Sequence, residues 1–287
     1  MRLKDYLLKE KKEKVYAFYQ GIIKKAKDYD KVTRLEMYQE ILSFYHDDPE
    51  EILRLCSMEE IHILKNLIEE PLEKRENGYI DYLLFRNLKQ NYLILEDKDK
   101  YFIPEDIYNY VKMAMNLLDL QAYSMMDVVD SVLLGISRVY NTLTVNDFLE
   151  VLNSFYIKYD ISDIKKYIKT NKKFIGLIDV IRFQKIDYII SLEYPFYKDV
   201  IELRKDFKIA QYSLEEIISF GKYKINLFQE KVLSFLNFLE IHLNPAGIDG
   251  LFKDLIFYCG FDINNESVLL DICDGIEELY HEVLVVI

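Results

Sequence analysis

The sequence predicts a mainly α fold: helical modules with two small β-hairpins set in winged-helix-like units. Three observations predict it. Apolar residues recur at the helical period along most of the 287 residues. Nine Gly and five Pro are the only strong breakers, so elements are long and connections compact. Two stretches, "YLILEDKDKYFIP" at 92–104 and "FIGLIDVIRFQKIDYIISLEYPFY" at 174–197, abandon that period for paired β-favouring runs around a charged or polar turn.

Taken in order, residues 3–20 carry an apolar stripe at Leu3, Leu7, Leu8, Val15, Phe18 and Tyr19, which reads as one amphipathic helix. "KKAKDYDKVT" interrupts as an extended loop, and "RLEMYQEILSFY" resumes the helical pattern. Ser57, with Glu60 three residues on, forms a capping box that opens "SMEEIHILKNLIEE", and Pro71 closes that helix. A helix over 79–90 follows. The first hairpin then pairs 92–95 with 100–103 across "EDKDK", and Pro104 stands in the tolerated first turn of "PEDIYNYVKMAMNLLDL".

The order then repeats. Helices "MMDVVDSVLLGISRVY", "TVNDFLEVLNSFY" and "DISDIKKYIKTNKKF" lead to a second hairpin near 174–182 and 186–192, and to a helix from about Pro195. Two copies of one helix–helix–hairpin unit are expected. The remainder reads as helix, with Gly221 ending a short one and Asn244–Pro245 separating two long ones. The expected division is a basic module at 1–48, one unit at 49–122, a second at 123–210 and an acidic helical module at 211–287.

Charge is segregated along the chain. Its 37 basic and 49 acidic residues give a net charge of −12, which disfavours non-specific contact with polyanions. Residues 1–35 nevertheless hold eleven Lys or Arg against five acids, while 212–287 hold thirteen acids against four lysines. The acidic module suits a basic protein partner. No apolar run reaches the ~18 residues of a membrane span, and no secretion signal is legible, so a cytoplasmic protein without membrane contact is expected. Three cysteines, irregularly spaced, fit a reducing compartment.

No phosphate-binding glycine motif occurs; "GIDG" at 247–250 does not follow a strand. Cys56 lies on an apolar stripe and reads as core. Cys259, Cys273 and His281, with His242, lack the short ligand pairs of a zinc site. No catalytic residue, metal or cofactor is therefore expected. Two lysine clusters stand out as nucleic-acid-binding candidates. Lys24, Lys25, Lys27 and Lys31 fall in the N-terminal loop, and Lys165, Lys166, Lys169, Lys172 and Lys173 lie where a recognition helix would precede a wing.

The segment "LKDYLLKEKKEKVYAFYQGIIKKAKDYDKVTRLEMYQEI" resembles the helix–extended-loop–helix module at the N-terminus of the transcription terminator Rho, also found in uncharacterised proteins of low-GC Gram-positive bacteria. The likeness covers about residues 1–48. The hairpin units and acidic tail are similar to the body of those proteins, some of which end in a zinc motif that this sequence lacks. The resemblance implies a helical protein with winged-helix-like parts and brings no catalytic residue. The function expected is non-enzymatic: a regulatory or interaction protein contacting DNA or RNA through local lysines. The alternatives are a pure protein–protein adaptor with structural hairpins, or an unrecognised enzyme.

Overall fold

The computed structural model describes residues 1–23, 26–73, 78–193, 197–203 and 210–259. The helix expected over 3–20 is split into α1 (Leu3–Leu7) and α2 (Lys12–Ile22). The Leu8, Lys9 and Glu10 amides turn back to the Lys4 and Tyr6 carbonyls and end α1, and Lys11 is extended before α2 begins. At the other end of α1, Asp106 accepts hydrogen bonds from the Leu3 and Lys4 amides at 2.7 and 3.1 Å, supplying from a distance the cap that Arg2 cannot. A single 3₁₀ turn at Tyr29–Lys31 leads to α3 (Arg34–Asp47), opened by a Thr33–Glu36 capping box.

The first unit runs α4 (Glu50–Leu53), α5 (Met58–Glu69), β1 (Leu72–Glu73), α6 (Tyr79–Gln90), β2 (Leu95–Asp97), β3 (Lys100–Phe102) and α7 (Tyr108–Leu117). The Ser57–Glu60 box opens α5 as the sequence implies. The hairpin forms, but its strands sit closer to the turn than expected. A two-residue turn at Lys98–Asp99 draws Glu96, Asp97 and Lys100 into the ladder, where alternate side chains can face water. Leu93 and Ile94 are left as a buried lead-in. Pro104 does not begin α7: its carbonyl accepts from the Ile107 and Tyr108 amides in a turn before it. Strand β1 pairs with β3, giving the order β1-β3-β2. At two residues it is too short to show alternation in sequence.

The second unit is α8 (Leu120–Tyr140), β4 (Thr142–Thr144), α9 (Val145–Ser154), α10 (Ile161–Thr170), β5 (Ile178–Phe183), β6 (Ile186–Ser191) and α11 (Tyr197–Leu203). Its sheet has the same plan, β4-β6-β5, with Val180 opposite Ile189 in the hairpin. Gln184 and Lys185 make the turn with φ of 48° and 69°, the left-handed pair that matches strand twist. Helix, strand, two helices and a hairpin closing on the first strand is the winged-helix order. The first unit has one helix between β1 and its hairpin, so the two units share sheet topology but not helix count.

The C-terminal part contains α12 (Leu214–Tyr223), α13 (Glu230–His242) and α14 (Pro245–Cys259). Gly221, expected as a helix terminator, lies inside α12, which ends at Lys224 in a left-handed conformation. Its role is packing. A Cβ on Gly221 would meet the Ser131 carbonyl oxygen at 1.8 Å, and one on Gly135 would meet that of Ile217 at 1.9 Å. Each glycine therefore lets the other helix's backbone in, and α8 and α12 cross in backbone contact. No helix among the described residues is long and apolar enough to cross a membrane.

Three hydrophobic cores hold the described residues. The first joins the N-terminal helices to the first unit, from Leu3, Tyr19 and Ile41 through Leu64 and Tyr101 to Val111. The second fills the winged unit and takes Ile217 and Phe220 from α12. The third sets Tyr79 and Leu83 of α6 against α13 and α14. Substituting Gly221→Ala should force the two backbones apart and cost about 3 kcal/mol, read as a lower midpoint in denaturant unfolding, whereas Gly250→Ala, inside α14 with nothing within 4 Å of its Cβ, should raise the midpoint by the helix propensity gained, up to about 1 kcal/mol.

Candidate nucleic-acid interface and the charged cavity beside it

Helix α10 is positioned by its apolar side. Ile164 and Ile168 are buried against the winged unit's core, and Asp160 caps the N-terminus by accepting from the Asp163 amide at 2.8 Å. A narrow apolar stripe leaves the opposite face outward. Lys166 and Lys169 stand exposed there, with Lys165 half-buried beside them. The hairpin adds Arg182, near the end of β5, and Lys185, in its turn, both exposed. Asp187 ties the two elements together: Lys165 donates to it at close range, and Arg182 lies 3.9 Å away. The Lys165 bond, followed by the charges of Lys165 and Arg182, holds the Asp187 carboxyl below its usual range.

The five lysines of this cluster are divided by the structure. The helix ends at Thr170, and Asn171 then turns the chain inward through a 3₁₀ turn at Lys172–Phe174, its side-chain oxygen accepting from the Lys173 amide at 3.0 Å. Phe174 is buried. Lys172 is carried to Glu51 at 3.0 Å and over the Phe44 ring at 3.9 Å. Lys173 donates to Asp127 at 2.6 Å. Both ammonium groups therefore face the interior rather than solvent. In the N-terminal cluster, Lys27 pairs with Glu40 at 2.9 Å and Lys31 with Asp28 at 2.5 Å, while Lys24 and Lys25 lie outside the described residues.

Beside Lys172 and Lys173 lies a cavity of about 270 Å³ between the two units and α12. Six cations line it: Arg86, Arg138, Lys172, Lys173, Lys222 and Lys224. Each has a carboxylate. Arg86 pairs with Asp249, Arg138 with Glu193 at 2.6 Å, and Lys222 with Glu59 at 2.6 Å. Lys224 spans Glu193 at 3.3 Å and Asp249 at 3.1 Å. Burial works to raise the Glu193 carboxyl, but Arg138 and Lys224 outweigh it and hold it at about 2. Several of these pairs join the two units and the C-terminal helices to one another, so the network acts as a polar seam. Partners of this kind, separated by up to 163 residues, have no local signal in the sequence.

Among the described residues no group of three or more His, Cys, Asp or Glu could hold a metal ion; Cys273 and His281 lie outside them. Cys56 is buried in the first core, and burial pushes its thiol well up, as its apolar setting in the sequence implies. Compared with known proteins, the chain matches no family model, no curated protein and no solved structure.

Glu60 gives the seam a pH dependence. It is buried, accepts from the Ser57 amide at 2.7 Å, and is pushed by burial up to about 7 from an ordinary 4.5, against the pull of Ser57, Asn87 and Lys173. Below 4.5 the group is protonated in both folded and unfolded chains and costs nothing. As pH rises from 4.5 to 7 the unfolded chain ionises while the folded one stays protonated, and by the time pH passes 7 the fold has lost about 3 kcal/mol of stability. Glu60→Gln, which retains the capping geometry, should melt higher than wild type at pH 8, with the difference vanishing below pH 4.5 in thermal unfolding followed across pH.

Proposed function

We propose that this chain is a regulatory or interaction protein that contacts nucleic acid through the exposed face of α10 and the adjoining hairpin turn of its second unit. The observation that supports it is the placement of Lys166 and Lys169 on the solvent side of a helix whose other side is fixed by Ile164 and Ile168, next to the exposed Arg182 and Lys185. A helix in that position, with a basic hairpin beside it, has the geometry of groove entry flanked by backbone contact. The net charge of −12 works against non-specific contact with phosphate, so contact is local to basic faces such as this one. Lys172 and Lys173 serve the seam instead, and their pairs with Glu51 and Asp127 are the structural support behind the reading helix.

Charge supplies affinity here, and salt removes it. Binding of wild-type protein to a labelled DNA or RNA duplex should fall steeply with ionic strength. The double variant Lys166→Glu with Lys169→Glu should bind more weakly, with a salt slope lower by about 2. Both side chains are exposed, so the variant should melt within about 0.5 kcal/mol of wild type. Absence of wild-type binding at low salt, measured by fluorescence anisotropy, overturns the proposal.

A further inference from the structure

Seven non-glycine residues among those described adopt a left-handed backbone, a conformation that side chains resist. Six have an evident structural reason. Lys98, Gln184 and Lys185 make the hairpin turns. Asn141 is buried and its carbonyl accepts from the Ser191 amide at 2.7 Å. Lys224 closes α12 and reaches two carboxylates. Tyr92 ends α6 and is buried, its ring packed edge-on against Phe18 at 5.0 Å and Tyr6 at 6.1 Å.

Tyr156 is the exception. It ends α9 with the same bond pattern as Tyr92: its amide donates to Asn153 at 3.0 Å, and the Ile157 amide reaches back to Leu152 at 3.1 Å. Glycine is the usual occupant of this place, because the left-handed residue otherwise carries steric strain. Tyr92 offsets that strain by burying its ring, but the Tyr156 side chain contributes nothing comparable. At φ 61° it is 90% exposed. The segment that follows alternates, with Phe155, Ile157 and Tyr159 turned onto the core and Tyr156 and Lys158 turned out. This segment leads directly into α10. A large aromatic ring held outward at a strained position, next to an exposed lysine and a basic helix, breaks the local rule without gain to the fold, and such positions are where function is to be sought.

We propose that Tyr156 is a stacking platform for an unpaired base, with Lys158 beside it for the adjoining phosphate. The proposal rests on the nucleic-acid reading of α10 and adds to it a class of ligand. A tyrosine face accepts any base, but only one that is out of its own stack. The substrate is therefore a single strand, or the single-stranded side of a junction whose duplex lies along α10.

The test uses the full chain and three labelled DNA probes: an oligothymidine single strand, a blunt duplex, and that duplex with a thymidine overhang. Tyr156→Gly should weaken binding to the single strand and the overhang probe by about tenfold, leave the blunt duplex unchanged, and raise the melting temperature by roughly 2 °C because strain is relieved. Tyr156→Phe, which keeps the ring, should bind as wild type. A variant that gains stability while losing affinity separates a binding role from a structural one. If Tyr156→Gly binds the overhang as wild type does, or loses the blunt duplex equally, or melts lower, the stacking role is overturned. The Lys166→Glu and Lys169→Glu variant reports on the underlying reading separately: weakening there with no effect at Tyr156 leaves the reading standing and removes the platform. Wild-type protein that binds none of the three probes overturns both.

Discussion

The arrangement of the parts depends on the crossing of α8 and α12 at Gly135 and Gly221. Because neither residue has a Cβ, the two backbones meet directly, and the last turn of α12 is delivered to the middle of the molecule. That turn carries Lys222 and Lys224. It also offers the Phe220 and Gly221 carbonyls, which accept from the Arg138 guanidinium. The seam of ion pairs follows from this placement. Glu59 of the first unit, Asp127 and Glu193 of the second, and Asp249 of α14 all find cations there because α12 brings them. A buried pair is worth little by itself, since desolvation offsets attraction, but removing one partner leaves a charge stranded. Its effect is to make one relative placement of the units acceptable and others costly.

How much of this was legible in the sequence varied with the range of the interaction. Capping boxes are local, and Ser57–Glu60 could be read from four residues. The helices over 79–90 and from 230 to 259, split at Asn244–Pro245, were legible because periodicity and breakers agree there. Both hairpins were legible from their flanking β-favouring runs, although the tight turns moved the strands. The failures were tertiary. Asp106 caps α1 from a distance, and β1, with two residues, exists because β3 offers an edge. Gly221 was misread because a glycine that ends a helix and one that admits another helix look alike in one dimension.

The lysines show the same limit in the candidate site. Spacing could bring Lys165 to Lys173 together on a continuous helix, but it could not reveal that Asn171 stops the helix and that Phe174, seeking the core, takes Lys172 and Lys173 inward with it. Their partners, Glu51 and Asp127, come from other elements entirely. Arg182 and Lys185 went unnoticed because each is a single charge, one near the end of β5 and one in the turn, meaningful only once the hairpin is seen beside α10. Tyr156 left no signal at all. Its distinction lies in a backbone angle, which composition and periodicity do not record.

The bond between Asp106 and the amides of Leu3 and Lys4 also bears on the order in which the chain can be assembled. During synthesis α1 is made before the carboxylate that caps it, which follows about a hundred residues later. Tyr38, whose hydroxyl meets the same carboxylate at 3.0 Å, waits for it too. The opening helices therefore leave the ribosome with polar groups unanswered and apolar faces uncovered, and they reach their final state only once α7 has followed. In vectorial folding α1 is made early and secured late: the first core draws on Ile107, Val111 and Ala114 as well as on Asp106, so it closes around α1 only after α7 has been made.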